Sequence, residues 1–337
     1  MYRSFFHRAS VGVFGLFALV LLASCKPVIS FTGESRLDEQ GNEYGVLDWR
    51  ITGKDTDDFQ LTGVSIEPDI GAVEPSGSLE VYPAQTTTYT LTAYSLGPNN
   101  TIYNDTRSVT IHIGPRVDFD LVEDAALRAC LEDTGFTHIE QFTAIYCVER
   151  GIESLVGIEQ FVAAQSASLD FNRIDDLSPL TALPSLGLVS ITSNDLVSLD
   201  SLASSSSVHS IVAFDNAITN VSALAGMVQL RSLLLDDNQL DGFSGLETLT
   251  MLQALSVKSN GLTDVSGLAS LTGLRALDFS YNPVTAGVPA LSSLRSAVAI
   301  RSEGNGSVRC LDYANLVLAL GAGGDFRQVP VLLTEPE

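Results

Sequence analysis

Asparagine recurs every 22 residues through the second half of the chain, and this regularity constrains the fold more than any other feature. Six asparagines share the register: Asn172, Asn194, Asn216, Asn238, Asn260 and Asn282. A fixed period in the range of about 20–50 residues is the signature of a stacked array, in which each repeat buries its apolar face only against its neighbours. The sequence therefore predicts a solenoid rather than a single closed core.

Apolar residues surround each asparagine at constant offsets. They stand five and three positions before it and, in most repeats, two positions after it, as Leu233, Leu235 and Leu240 do around Asn238. This spacing predicts one short strand per coil, whose alternate side chains point into a shared core. The asparagine side chains inside the bend can bond backbone groups that would otherwise be buried unpaired. We therefore interpret all six as a structural ladder and assign none to a ligand.

The segments Ile174–Leu180 (IDDLSPL) and Leu262–Leu268 (LTDVSGL) extend the pattern. They resemble internalin-type leucine-rich repeats, which implies a short 3₁₀ or helical return side. A step of 22 residues backwards from Asn172 reaches Arg150. A step of 22 residues forwards from Asn282 reaches Gly304, one residue before Asn305. We expect about eight coils over residues 147–306, with the first and last irregular.

The same resemblance implies a binding surface on the concave side, formed by the strand residues that alternate with the core. In this sequence these residues include Asp170, Thr192, Val212, Phe214, Leu234, Asp236, Lys258 and Asp278. We expect Val212, Phe214 and Leu234 to form an exposed apolar patch ringed by the three aspartates, as in a protein interface. The alternative is that these residues only satisfy strand propensity.

Both ends of such an array need covers. We expect a helical cap over residues 116–146, with an amphipathic helix at Asp124–Leu131, and a second cap and tail over 307–337, with a helix at 312–320. Cys130 lies on the first helix and Cys147 on an inward strand position, so a disulfide between them would join the cap to the first coil. Cys310 is expected as a buried free thiol, with an intermolecular bridge as the alternative.

Residues 26–115 show a different sequence pattern from the repeats. About seven short runs alternate apolar and polar residues between turn signals, which is typical of a β-sandwich. The stretches 76–83 (SGSLEVYP) and 86–93 (TTTYTLTA) resemble bacterial immunoglobulin-like domains. That resemblance implies a core tryptophan, for which Trp49 is the candidate, and a spacer role; a binding role for this module is the alternative.

Residues 1–25 are expected to form a signal peptide with a lipobox, which is cleaved before Cys25. Val11–Leu22 is an apolar run that would rise only about 18 Å as a helix, short of a bilayer core of about 30 Å, and it follows basic residues. Leu22-Ala23-Ser24-Cys25 resembles the lipobox of bacterial lipoproteins, which implies acyl chains on Cys25. An incidental cysteine after an ordinary signal peptide is the alternative. Because Lys26 rather than aspartate follows, the outer membrane is the expected location in a Gram-negative host.

Charge and motifs narrow the function. The net charge is −22, with 40 acidic against 18 basic residues, which argues against nucleic-acid binding. The sequence contains no EF-hand loop and no HExxH, CxxC, Walker, GxGxxG or GxSxG motif, so we expect no metal site, no cofactor and no enzymatic activity.

The sequence thus predicts a mainly β protein with a sandwich followed by a solenoid. The expected function is that of a monomeric, lipid-anchored recognition protein that binds a protein partner without catalysis. A structural component of the envelope or matrix that associates with itself is the alternative. Glycan binding is a third hypothesis, disfavoured because the concave face offers few aromatic side chains.

Overall fold

The computed structural model describes residues 27–52, 55–56, 59–305 and 315–316. The chain divides into two compact units between Gly114 and Pro115. Among the described residues, no helix is both long and apolar enough to cross a membrane.

Several sequence predictions fall outside the described residues. They concern the signal peptide, Cys25, Cys310 and most of the expected C-terminal helix. Within that helix Asn315 and Leu316 are described and helical, and Leu316 is buried in the core of the second unit.

The first unit consists of two antiparallel sheets. Its strands are β1 (Val28–Leu37), β2 (Glu43–Thr52), β3 (Asp55–Thr56), β4 (Phe59–Glu67), β5 (Gly71–Ala72), β6 (Ser76–Val81), β7 (Thr87–Leu96) and β8 (Ile102–Ile111). One sheet has the order β1-β2-β6, and the other has the order β3-β4-β7-β8 with β5 paired to β4. A 3₁₀ turn, Pro98–Asn100, connects β7 to β8. The predicted β-rich module is present; its immunoglobulin-like character stays a prediction.

Side chains from both sheets fill one core around Trp49. Its indole is buried on β2, as the sequence predicted, and its Nε1 donates to the carbonyl of Glu74 at 2.9 Å. Gly77 lies directly opposite on β6, and a Cβ at that position would lie 2.6 Å from the indole ring. Glycine at position 77 therefore leaves the space that the ring occupies.

The second unit is built on one parallel sheet of eight strands in chain order. These strands are β9 (Ala144–Tyr146), β10 (Ser166–Ser168), β11 (Leu188–Ser190), β12 (Ser210–Val212), β13 (Ser232–Leu234), β14 (Ala254–Ser256), β15 (Ala276–Asp278) and β16 (Ala299–Arg301). The central residue of β12, Ile211, pairs with Leu233 of β13, and both are fully buried. The alternation places one side chain per strand inside and its two neighbours outside.

The return side of each coil is a short 3₁₀ helix, as the repeat pattern implied. These helices are Ile158–Gln160, Ser178–Ala182, Asp200–Ser204, Ser222–Gly226, Leu246–Thr248, Ser266–Ser270 and Val288–Ser293. Apolar side chains from the two sides of the coils form one continuous core through the stack. The described residues from 144 to 305 thus form a leucine-rich-repeat solenoid.

The repeated asparagines connect consecutive coils. The Asn238 Oδ1 accepts the backbone N–H of Ile218 at 3.0 Å, and its Nδ2 donates to the carbonyl of Ala213 at 2.8 Å. All six asparagines repeat this pair of bonds, to the N–H 20 residues earlier and the carbonyl 25 residues earlier. Each side chain therefore satisfies two backbone groups of the preceding coil.

The N-terminal cap contains helix α1 (Ala125–Glu132) and the 3₁₀ turns Phe119–Leu121 and Ile139–Gln141. Asp124 begins α1, where its Oδ1 accepts the N–H groups of Ala126 and Leu127. Its Oδ2 accepts two N–H groups of the first coil, from Glu153 at 2.9 Å and Ser154 at 3.2 Å. Burial alone would raise the pKa of Asp124, but these four bonds outweigh it and hold the pKa below its usual value.

A disulfide joins Cys130 on α1 to Cys147 beside β9, with a Cα–Cα distance of 5.8 Å. The structure thus contains the disulfide that the sequence predicted. The disulfide and the bonds of Asp124 both join the cap to the first coil.

The last coil departs from the period by one residue. Ala276 of β15 pairs with Ala299 of β16, a spacing of 23 rather than 22. Asn305 keeps only part of the ladder contact: its Oδ1 accepts the N–H of Asn282 at 2.8 Å, whereas its buried Nδ2 has no hydrogen-bond partner among the described residues. Asp264 and Ala286 still pair at a spacing of 22, so the extra residue falls between Ala286 and β16, on the return side that contains the six-residue helix Val288–Ser293.

Candidate functional site: the outer face of the parallel sheet

The outward side chains of the parallel sheet form one surface, here called the strand face. It consists of residues six, four and two positions before each ladder asparagine. The eight residues predicted to bind a partner all lie on it, on consecutive coils: Asp170, Thr192, Val212, Phe214, Leu234, Asp236, Lys258 and Asp278. The backbone bonds of the sheet fix the spacing between them.

The predicted apolar patch is present but less open than expected. Val212 of β12 pairs directly with Leu234 of β13, and Phe214 lies two residues beyond Val212. All three side chains are half-buried, not exposed. Neighbouring strands lie only about 4.8 Å apart, so side chains along a row cover one another. Leu188 on β11, which is 37% exposed, extends the apolar surface by one coil.

The carboxylates of Asp170 and Asp236 form hydrogen bonds between coils, which the sequence pattern does not show. Asp170 accepts a bond from the Ser190 hydroxyl at 2.8 Å and another from the N–H of Thr192 at 2.7 Å. Asp236, three coils further on, makes the same two bonds to the Ser256 hydroxyl and to the N–H of Lys258. Both carboxylates therefore connect adjacent coils.

Asp236 is half-buried, and this burial raises its pKa above the usual value. The bonds from Ser256 and from the Lys258 N–H oppose that shift, while the nearby charges of Asp278 and Asp237 add to it. Asp236 thus lies among other acidic residues, and two bonds from the next coil hold its carboxylate in place.

The two remaining charged residues among the predicted binding residues, Lys258 and Asp278, also interact with side chains or backbone groups close by. Asp278 accepts the N–H of Ser280 at 3.0 Å and lies 4.0 Å from the guanidinium of Arg301. The Lys258 ammonium lies 5.3 Å from the ring centroid of Tyr281, within range of a cation–π interaction.

The sequence pattern singles out only Phe171 and Tyr281 from a row of bend residues that borders the strand face. One such residue precedes each ladder position, and all share a left-handed backbone with φ between 51° and 59°: Glu149, Phe171, Ser193, Asp215, Asp237, Ser259 and Tyr281. We call this row the trailing edge. Left-handed non-glycine residues are uncommon, and here the bend directs Phe171 and Tyr281 outward, 57% and 52% exposed. From the sequence, these two rings either extend the apolar patch or pack locally.

Tyr146 was also missed. It is 74% exposed on β9 and pairs in register with Ser168 of β10, which places it in an outward row of the strand face. The signal was its position four residues before Arg150, the degenerate ladder residue of the first coil.

No group of three or more histidine, cysteine or acidic side chains is placed to hold a metal ion within the described part of the chain. The described contacts of the strand face are hydrogen bonds, ion pairs and apolar packing. Such a surface can bind by complementarity of shape and charge.

Comparison with known proteins agrees with the repeat architecture. No family model matches the chain, and no curated protein matches it. Among solved structures, the chain is similar to internalin C2 of Listeria monocytogenes, at 25% identity and a TM-score of 0.51; the alignment covers 60% of this chain and 95% of that one.

Two further solved structures are similar to the chain. A second L. monocytogenes internalin matches at 21% identity and a TM-score of 0.48, covering 60% of this chain and 69% of that one. A leucine-rich-repeat protein of Leptospira interrogans matches at 19% identity and a TM-score of 0.44, covering 51% of each chain. The repeats and the likeness to internalin C2 show a leucine-rich-repeat fold that is similar to that of an internalin.

Proposed function

We propose that the protein is a non-enzymatic recognition protein that binds a protein partner through its strand face. The observation that carries this proposal is the apolar patch of Val212, Phe214 and Leu234, set among polar and charged side chains on a face fixed by backbone bonds. Protein interfaces share this arrangement of an apolar centre and a polar rim.

The scaffold favours binding because it is ordered in advance. The ladder bonds and the Asp170 and Asp236 bonds hold each outward row against the next coil. A partner would therefore order few side chains on this surface, which lowers the entropy lost on association. The exposed rings of Tyr146 and Phe171 add large contact area at small conformational cost.

We further propose that the acylated Cys25 holds the protein at the cell envelope. This part of the proposal rests on the lipobox sequence Leu22–Cys25. Strand β1 begins at Val28, three residues later, so the β-rich first unit would serve as the spacer between membrane and solenoid.

The test is affinity capture of the tagged full-length protein from solubilised envelopes, comparing the native chain with Phe214→Thr/Leu234→Ser. Neighbouring coils carry Thr192 and Ser256 at these two positions, so the scaffold accepts both replacements. We expect captured partner to fall about tenfold or more, the equivalent of about 1.4 kcal/mol.

The matched control is Val228→Ser/Met251→Ser, which removes apolar side chains that are 50% and 41% exposed away from the strand face. Partner capture should be unchanged in this variant. Equal loss in both variants would contradict the strand face as the site. Capture of only further copies of the chain would instead support the self-associating structural role.

A further inference from the structure

The strand face carries opposite charge along its two borders. The trailing edge borders one side. The other border, here called the leading edge, is the row seven residues before each asparagine: Gln165, Gly187, His209, Arg231, Gln253 and Arg275. Consecutive N–H to carbonyl bonds of 2.8–2.9 Å stack these residues coil on coil. Each border is therefore a continuous row with its own composition.

The leading edge contains two arginines and no acid, although acidic residues outnumber basic ones by 40 to 18 in the chain. The side chains of Arg231 and Arg275 are exposed. Within the described residues, neither takes part in an ion pair, whereas Arg128, Arg150, Arg173 and Arg301 each lie within 4.0 Å of a carboxylate. These two cations are available to an outside group.

The trailing edge contains acids and no base. Asp215 and Asp237 are exposed there on neighbouring coils, and Asp236 lies beside them. The Asp215 carboxylate accepts one bond, from the Ser193 hydroxyl at 2.7 Å. The nearest base of the strand face, Lys258, lies on the next coil over the Tyr281 ring.

The apolar patch lies between the two borders on the same coils. In one coil the order is Arg231, Leu234, Asp237, and in the preceding coil it is His209, Val212 and Phe214, Asp215. At about 3.3 Å per residue, six residues separate cation from anion by up to about 20 Å. Base, apolar centre and acid thus follow one another across the strands.

We infer that the partner of this face presents a protein segment of the complementary order: acidic at one end, apolar in the middle and basic at the other. The segment lies along the strand direction, with its acidic end at Arg231 and Arg275 and its basic end at Asp215 and Asp237. Charge complementarity fixes its direction and suppresses segments of the wrong order. This inference rests on the proposed function and specifies the chemistry of the partner.

The test uses phage-displayed random peptides of about a dozen residues, which in extended form exceed this span. Peptides are selected on the native full-length chain and then depleted on Phe214→Thr/Leu234→Ser, so that only binders of the strand face remain. We expect the survivors to carry acidic and basic residues at opposite ends of an apolar stretch. Survivors without that segregation, or no survivors, would overturn the inference.

Three charge variants distinguish orientation from net charge. Reversing the leading edge (Arg231→Glu/Arg275→Glu) changes the net charge from −22 to −26, and reversing the trailing edge (Asp215→Arg/Asp237→Arg) changes it to −18. We expect each variant to bind the selected peptides about tenfold more weakly, because in each variant both borders carry charge of the same sign.

The combined variant reverses both borders and restores the net charge to −22. Its two borders again carry opposite charges, now exchanged. The same peptides should therefore recover most of their affinity by binding in the reverse direction. Opposite effects of the two single-border variants would show that net charge alone governs binding. Because these peptides are independent of envelope capture, the inference can fail while the proposed function stands.

Discussion

The two units reach their cores by different routes. In the first unit, β2 pairs with β1 and with β6, and the sheets close around one core that includes Trp49. In the solenoid every strand pairs with the strand one coil away, and the same contacts recur. A closed core concentrates stability in a few large side chains, whereas a stacked array distributes it over equivalent positions.

The largest expected loss of stability concerns the first unit. Trp49→Ala would remove the indole and its bond to Glu74, and large-to-small changes of this kind cost about 4 kcal/mol. By differential scanning calorimetry we expect the transition of the first unit to shift strongly while that of the solenoid stays. A parallel shift of both transitions would show that the units unfold together.

The next effect concerns the solenoid. Asn238→Ala would leave the N–H of Ile218 and the carbonyls of Ala213 and Leu235 buried without this partner, at a cost of about 3 kcal/mol. Urea denaturation followed by circular dichroism measures the loss. The matched control is Asn220→Ala, because Asn220 is exposed and bonds only Ser222 nearby. Equal losses at Asn238 and Asn220 would contradict the ladder.

The smallest effect concerns the junction of cap and first coil. Asp124→Asn keeps the shape but weakens four charge-assisted bonds, and we expect a loss of about 1–2 kcal/mol at neutral pH.

The same substitution has a defined pH dependence. The pKa of Asp124 is lowered in the folded chain, so its contribution is present above the unfolded value of about 3.9 and is lost as pH falls through the folded value. The difference in unfolding free energy between native and variant chains should therefore shrink below about pH 4. A difference that is constant from pH 7 to pH 3 would assign the effect to shape rather than charge.

The sequence predicted the solenoid well because one period places many equivalent residues. Asn238, its five equivalents and the inward leucines follow from the 22-residue spacing, and the 3₁₀ return side follows from the resemblance to internalin-type repeats. The pairing of β1, β2 and β6 did not follow, because non-local antiparallel pairing leaves no repeated spacing in the chain.

The candidate site was predicted in position but not in detail. Asp170 and Asp236 were expected at the rim of the patch. In the structure their carboxylates also accept hydrogen bonds from the hydroxyls of Ser190 and Ser256, and these bonds connect adjacent coils. The sequence places an aspartate and a serine 20 residues apart but does not show that their side chains meet. The half-burial of Phe214 likewise depends on cover from neighbouring coils, which no single repeat contains.

The six-residue helix Val288–Ser293 has a practical consequence for protein engineering. It has one more residue than the longest earlier return helices, yet β16 still pairs in parallel with β15. Length can therefore vary on the return side without altering the spacing of the strands. An epitope tag or fluorophore site introduced there would report on the solenoid and leave its outer sheet surface free.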